Sequence, residues 1–194
     1  SSEIFNSIKL IRPGDAKAVD GSVMAMLHPD SASFWITAWG VGAFAYDKNF
    51  QPAKFNSTLN ALISKNSVWC MIKHSSGLIW FAYQGGGVGV YNPATGKADF
   101  FSPAVFESRT IRKLAEDKDG NIWFGTHGGH IVKWDYKESG GNFKTGYKLI
   151  HKFEKSPINQ VVVDTKGYVW ICTSSNGLSK INARTGLIED EYDY

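Results

Sequence analysis

Cysteine and methionine are scarce, with 2 and 3 residues in a chain of 194. Cys70 and Cys172 stand far apart in neither a CxxC pair nor a zinc pattern, so they predict no metal knuckle and leave the redox compartment open. Charge of one sign is equally short. Lys plus Arg total 21 and Asp plus Glu 18, a scattered net charge of +3 that argues against nucleic acid as a partner. No apolar run reaches the roughly 18 residues of a membrane span, and Ser1-Ser2-Glu3 does not read as a signal peptide. What the chain has in quantity is glycine, 20 residues, and aromatic side chains, 14%. That balance predicts short strands and tight turns, in a chain long enough for one large domain or a tight pair.

The chain repeats itself. Trp35, Trp80, Trp123 and Trp170 are 45, 43 and 47 residues apart, and an ungapped stretch aligns around each. Each stretch begins twelve residues before its Trp, at Val23, Val68, Ile111 or Ile158, and ends eleven after, at Tyr46, Tyr91, Trp134 or Ile181. Three residues before the Trp stand Gly77, Gly120 and Gly167, with Ala32 in the first copy. A period in this range marks repeat architectures such as propellers and solenoids. Ser76-Gly77, Asp119-Gly120 and Lys166-Gly167 are hairpin dipeptides, because glycine takes positive φ without a Cβ clash. The Trp-bearing segments FWITA, LIWFA, NIWFG and YVWIC are apolar on successive residues, which predicts strands buried on both faces. Two residues beyond each Trp come Thr37, Ala82, Gly125 and Cys172, all small, as if a neighbouring sheet presses there.

Three strands per copy leave about twenty residues for one outer strand and a loop, such as 97–101 or 147–152. The predicted fold is therefore all-β: a β-propeller of about four blades, each of four antiparallel strands. Its blades fall at 22–66, 67–109, 110–156 and 157–194, and the four tryptophans are core between blades. Ile8-Lys9-Leu10-Ile11 resembles the outer strand Lys148-Leu149-Ile150, so residues 1–21 read as the outer strand of a preceding blade. Four inner triplets with five outer strands predict a segment of a larger ring. A four-blade arc would expose two apolar faces, so the chain is expected to close into a tight four-blade ring or to have as partners the remaining blades or a second copy of the chain.

Copy three, Leu114-Ala-Glu-Asp-Lys-Asp-Gly-Asn-Ile-Trp-Phe-Gly-Thr-His-Gly-Gly129, resembles the two-component regulator propeller repeat. Copy two is similar through Gly77, Trp80-Phe81, Gly85-Gly86 and Tyr91–Gly96. Copy four is similar through Asp164, Gly167, Trp170, Thr173 and Thr185-Gly186. Copy one is degenerate, with Pro29 for the Asp and Ala32 for the Gly. The resemblance implies a periplasmic, extracytoplasmic sensor region of a hybrid histidine kinase that recognises glycan fragments. No kinase, receiver or membrane helix is present, so any output would lie outside this chain.

Where the copies agree they hold the fold, so binding chemistry is expected where they differ at the strand ends around the axis. Four residues after the Trp come Trp39, Gln84, His127 and Ser174. Just inside the first strand come Met24, Trp69, Arg112 and Asn159, flanked by Tyr83, Arg109 and His130. Aromatic faces beside Arg, Gln, Asn and His donors suit an oligosaccharide, whose CH faces stack and whose hydroxyls pair. The ligand-binding set expected is Trp39, Trp69, Tyr83, Gln84, Arg109, Arg112, His127 and Asn159. No catalytic constellation, cofactor or metal site is predicted. Asp117, Asp119 and Asn121 imitate a calcium loop, but Ile122 stands where the turn requires glycine. Two alternatives remain. Virginiamycin B lyase and related propellers carry similar repeats with axial His and a divalent metal, which His127 and His130 alone could support. A WD-like interaction scaffold would match Trp134-Asp135, but lacks the Gly-His pair.

Overall fold

A computed structural model describes residues 9–64 and 67–192. Each repeat folds into one four-stranded antiparallel sheet. The first holds β1 (Val23–Asp30), β2 (Ser33–Ala38), β3 (Gly42–Asp47) and the two-residue β4 (Pro52–Ala53). A short helix, α1 (Ser57–Ile63), follows. The second sheet holds β5 (Val68–Lys73), β6 (Ile79–Tyr83), β7 (Val88–Asn92) and β8 (Lys97–Phe101). The third holds β9 (Ile111–Glu116), β10 (Ile122–Thr126), β11 (His130–Trp134) and β12 (Tyr147–Lys152), and the fourth β13 (Ile158–Val163), β14 (Tyr168–Thr173), β15 (Leu178–Asn182) and β16 (Ile188–Tyr192). In every sheet the strands pair in chain order, which is the up-and-down connectivity of a propeller blade.

The tryptophan of each of the first three blades packs against the next blade. Trp35 joins a core with Met71, Ile79 and Phe81 of blade 2, Trp80 one with Leu114 and Phe124 of blade 3, and Trp123 one with Ile158 and Ile171 of blade 4. Trp80 and Trp123 are fully buried. Gly125 explains the small residue two places beyond the Trp: a Cβ there would lie 2.5 Å from Ile158 Cγ2 and 2.8 Å from Val161 Cγ2 of the facing blade. Among the described residues no such core joins blade 4 to blade 1, so the four blades form an arc. Trp170 departs from the sequence expectation accordingly. It is only half-buried and stacks on Tyr192 of its own blade, at 6.2 Å between ring centres.

The repeated aspartate holds the tryptophan edge. Asp117 accepts hydrogen bonds from the Trp123 indole at 2.9 Å and from the Asp119 and Asn121 amides of the hairpin turn. Asp164 does the same for Trp170, Lys166 and Tyr168. Gly120 and Gly167 sit in these turns at φ of 79° and 90°, the left-handed conformation glycine alone takes freely.

Two features differ from the expectation. The sequence predicts a strand and a loop after the inner strands of blade 1, yet this stretch also contains α1, started by the Asn56 side chain accepting the Leu59 amide at 2.8 Å. Its Leu59, Leu62 and Ile63 are buried against blade 2. At the other end, the segment read as an outer strand makes one antiparallel bridge, Leu10 to Val19, with Ile8 outside the described residues. Leu10 lies on the free face of blade 1 with Ile36, Phe44 and Tyr46, because that face is apolar and needs cover.

Candidate functional site: the axial mouth

The innermost strand of every blade carries a β-bulge near its start. Pairing jumps from Val23 to Ala25, Val68 to Cys70, Ile111 to Lys113 and Ile158 to Gln160. The residues left over are Met24, Trp69, Arg112 and Asn159. A bulge re-aims the side chain it sets free, so one unpaired residue per blade is released from the inter-blade packing.

A second repeated feature sets the turn beside this bulge. The amides of Trp39, Gln84, His127 and Ser174 donate to the carbonyls of Ser22, Ser67, Thr110 and Pro157, at 2.8–3.0 Å. Each bond ties the turn between second and third strands to the entry of the first. Eight of the residues at which the copies differ thus stand at one end of the arc, two from each blade.

Their side chains connect across blades 2 to 4. The Arg112 guanidinium lies over the Trp69 ring, 5.7 Å from its centre, and donates to Asn159 Oδ1 at 3.2 Å. Ser174 Oγ donates to the same oxygen at 3.2 Å. The Trp69 indole N–H is buried without a hydrogen-bond partner among the described residues. Such an orphan donor beside a stacked guanidinium is a polar group that a ligand acceptor can satisfy. Trp39, Gln84 and His127 are exposed at the rim, Trp39 by 56%.

Three flanking residues lie otherwise. Tyr83 belongs to the core and not to the mouth: it is fully buried, its hydroxyl donates to the Leu62 carbonyl of α1 at 3.0 Å, and burial pushes its pKa up. The equivalent Ala38, Thr126 and Thr173 are buried too, and that equivalence was a signal available in the sequence. Arg109 lies across Gly128, its Cδ occupying the place a Cβ there would need, and pairs with Glu107. His130 is buried, with neither ring nitrogen partnered among the described residues, and its pKa is lowered by burial and by the nearby Arg109. His127 and His130 are therefore divided between solvent and core. Among the described residues no group of three His, Cys, Asp or Glu side chains could hold a metal.

Residues 106–128 match the family model of the two component regulator propeller. No curated protein matches the chain by sequence. Among solved structures, the chain resembles the extracellular domains of two hybrid two-component systems of B. thetaiotaomicron. One is 20% identical, with a TM-score of 0.69 over 92% of this chain and 23% of the other. The second is 22% identical, with a TM-score of 0.67 over 90% and 22%. Virginiamycin B lyase from Staphylococcus aureus is 14% identical, with a TM-score of 0.69 over 90% and 56%. These likenesses establish the propeller fold. The chain spans about a quarter of the two-component ectodomains it resembles.

Proposed function

We propose that this chain is the ligand-binding part of an extracytoplasmic sensor propeller of a two-component regulator, and that its mouth takes an oligosaccharide. The observation that carries this reading is the set of four bulges. Each frees one residue per blade from the strand pairing, and the residues freed at Trp69, Arg112 and Asn159 are a stacking surface, a forked donor and an amide. The regulator repeat at 106–128 and the likeness to two-component ectodomains support the sensor class. The free faces of blades 1 and 4 then take further blades, with signalling output carried elsewhere.

The test is calorimetric titration of the chain with a panel of neutral plant and host oligosaccharides, with Trp69→Ala and Arg112→Ala beside it. Saturable binding that each variant weakens at least tenfold, with unchanged melting, supports the reading. Binding undiminished in both variants, or no binding across the panel, overturns it.

A further inference from the structure

A sizeable cavity lies at the opposite end from the mouth. It is a cleft of about 580 Å³ between blades 1 and 2, bordered by the hairpin turns of both blades and by the stretch leading into α1. That volume falls within the roughly 300–1,000 Å³ of small-molecule sites. The corresponding cleft between blades 3 and 4 holds about 260 Å³ and includes Asp117. Between blades 2 and 3 the place is filled by His74, packed against Trp80, Trp134 and Tyr136.

The difference traces to one position. Six residues before the tryptophan stand Asp117 and Asp164 in copies three and four, and Pro29 in copy one. The first copy thus has no carboxylate at the place that receives the indole N–H in the other two. Asp30 caps its own turn, accepting from the Ala32 amide at 2.8 Å and from Ser33 Oγ at 2.9 Å, and does not replace it. Trp35 is 92% buried, lines the cleft, and its indole N–H has no partner among the described residues. Two further donors line the same cleft. Lys73 Nζ donates one hydrogen bond, to the Pro29 carbonyl at 2.7 Å, leaving two of its three N–H bonds. The Tyr91 hydroxyl accepts from Asn56 at 2.7 Å and keeps its own proton to give.

We propose that this cleft binds a small organic monocarboxylate, whose carboxylate takes the place of the missing aspartate. The carboxylate receives hydrogen bonds from Trp35, Lys73 and Tyr91, and its apolar body lies against Trp35 and Phe55, whose rings meet edge-on at 5.4 Å. Lys54 and Lys73 against Asp30 leave one net positive charge in the lining, which balances one carboxylate and not two. The inference is independent of the mouth and of the sensor reading.

Phenylacetate and its neutral isostere phenylacetamide are suitable probes, followed by the Trp35 indole N–H resonance and by calorimetry. Saturable phenylacetate binding that moves the Trp35 resonance, with phenylacetamide at least tenfold weaker, is the expected result. Trp35→Phe keeps the ring but not the donor and should weaken phenylacetate at least fivefold. Pro29→Asp restores an internal carboxylate, and should abolish binding while raising the melting temperature. Equal affinity for the amide, undiminished binding in Pro29→Asp, or an unmoved Trp35 resonance at saturating probe would overturn the proposal.

Discussion

His74 of blade 2 and Gly120 of blade 3, 46 residues apart, are joined by a buried hydrogen bond of 2.8 Å from the imidazole to the carbonyl oxygen. The other ring nitrogen lies 2.7 Å from Ser76 Oγ. The ring therefore satisfies the turns of two blades at once, and it does so where copies three and four use an aspartate. One consequence is visible in Trp80, whose indole N–H is buried without a partner among the described residues.

His74→Ala removes this fastening and opens space against Trp80 and Trp134. The loss should amount to about 2–4 kcal/mol, from a buried acceptor left unpaired and a cavity left behind. Urea denaturation measures it directly. A loss below about 0.5 kcal/mol would mean that the bond contributes nothing net.

Gly125→Ala tests the closeness of blades 3 and 4. The added methyl would meet Ile158 and Val161 at distances no real Cβ contact tolerates, so the blades must separate. Overpacking of this kind costs about 1–3 kcal/mol, read as a lowered urea midpoint. Combining it with Ile158→Val should recover part of the loss, since Ile158 Cγ2 is the nearest atom.

Acid should loosen blade 4 through Asp164. The Trp170 indole and the Tyr168 amide hold its carboxyl below the ordinary value of 3.8. A carboxylate whose folded pKa is depressed contributes stability above its unfolded pKa and loses it as pH falls through the folded value. Melting followed from pH 5 downward should therefore show an acid limb that Asp164→Asn flattens. An identical limb in the variant would place the acid sensitivity elsewhere.

The fold was largely legible because the repeat is a physical constraint stated four times. A tryptophan between two sheets needs small residues opposite it and a glycine in the turn before it, and both recur in register. The outer strands at Lys97–Phe101 and Tyr147–Lys152 follow from what is left over. Helix α1 was not legible, since it occurs once, spans seven residues and owes its place to packing on blade 2. The four residues at the bulges stand where the copies disagree, yet the physical reason was hidden. A bulge leaves no periodic trace in sequence, because the extra residue is the one freed from the pattern. Tyr83 was misplaced for the opposite reason: an aromatic residue near a turn looks available until a neighbouring element supplies its hydroxyl with a carbonyl. Trp170 followed the repeat in sequence but not in burial, because burial depends on the blade beyond it.

At the mouth the main-chain amides of Trp39, Gln84, His127 and Ser174 tie the turn of each blade to the entry of its first strand. Since that repeated bond uses the main chain and not the side chains of these four residues, each position is a socket into which selection can fit a new head group without rebuilding the frame. A descendant of this protein could change what it recognises by single substitutions at the rim, one blade at a time, while melting at the same temperature as its parent.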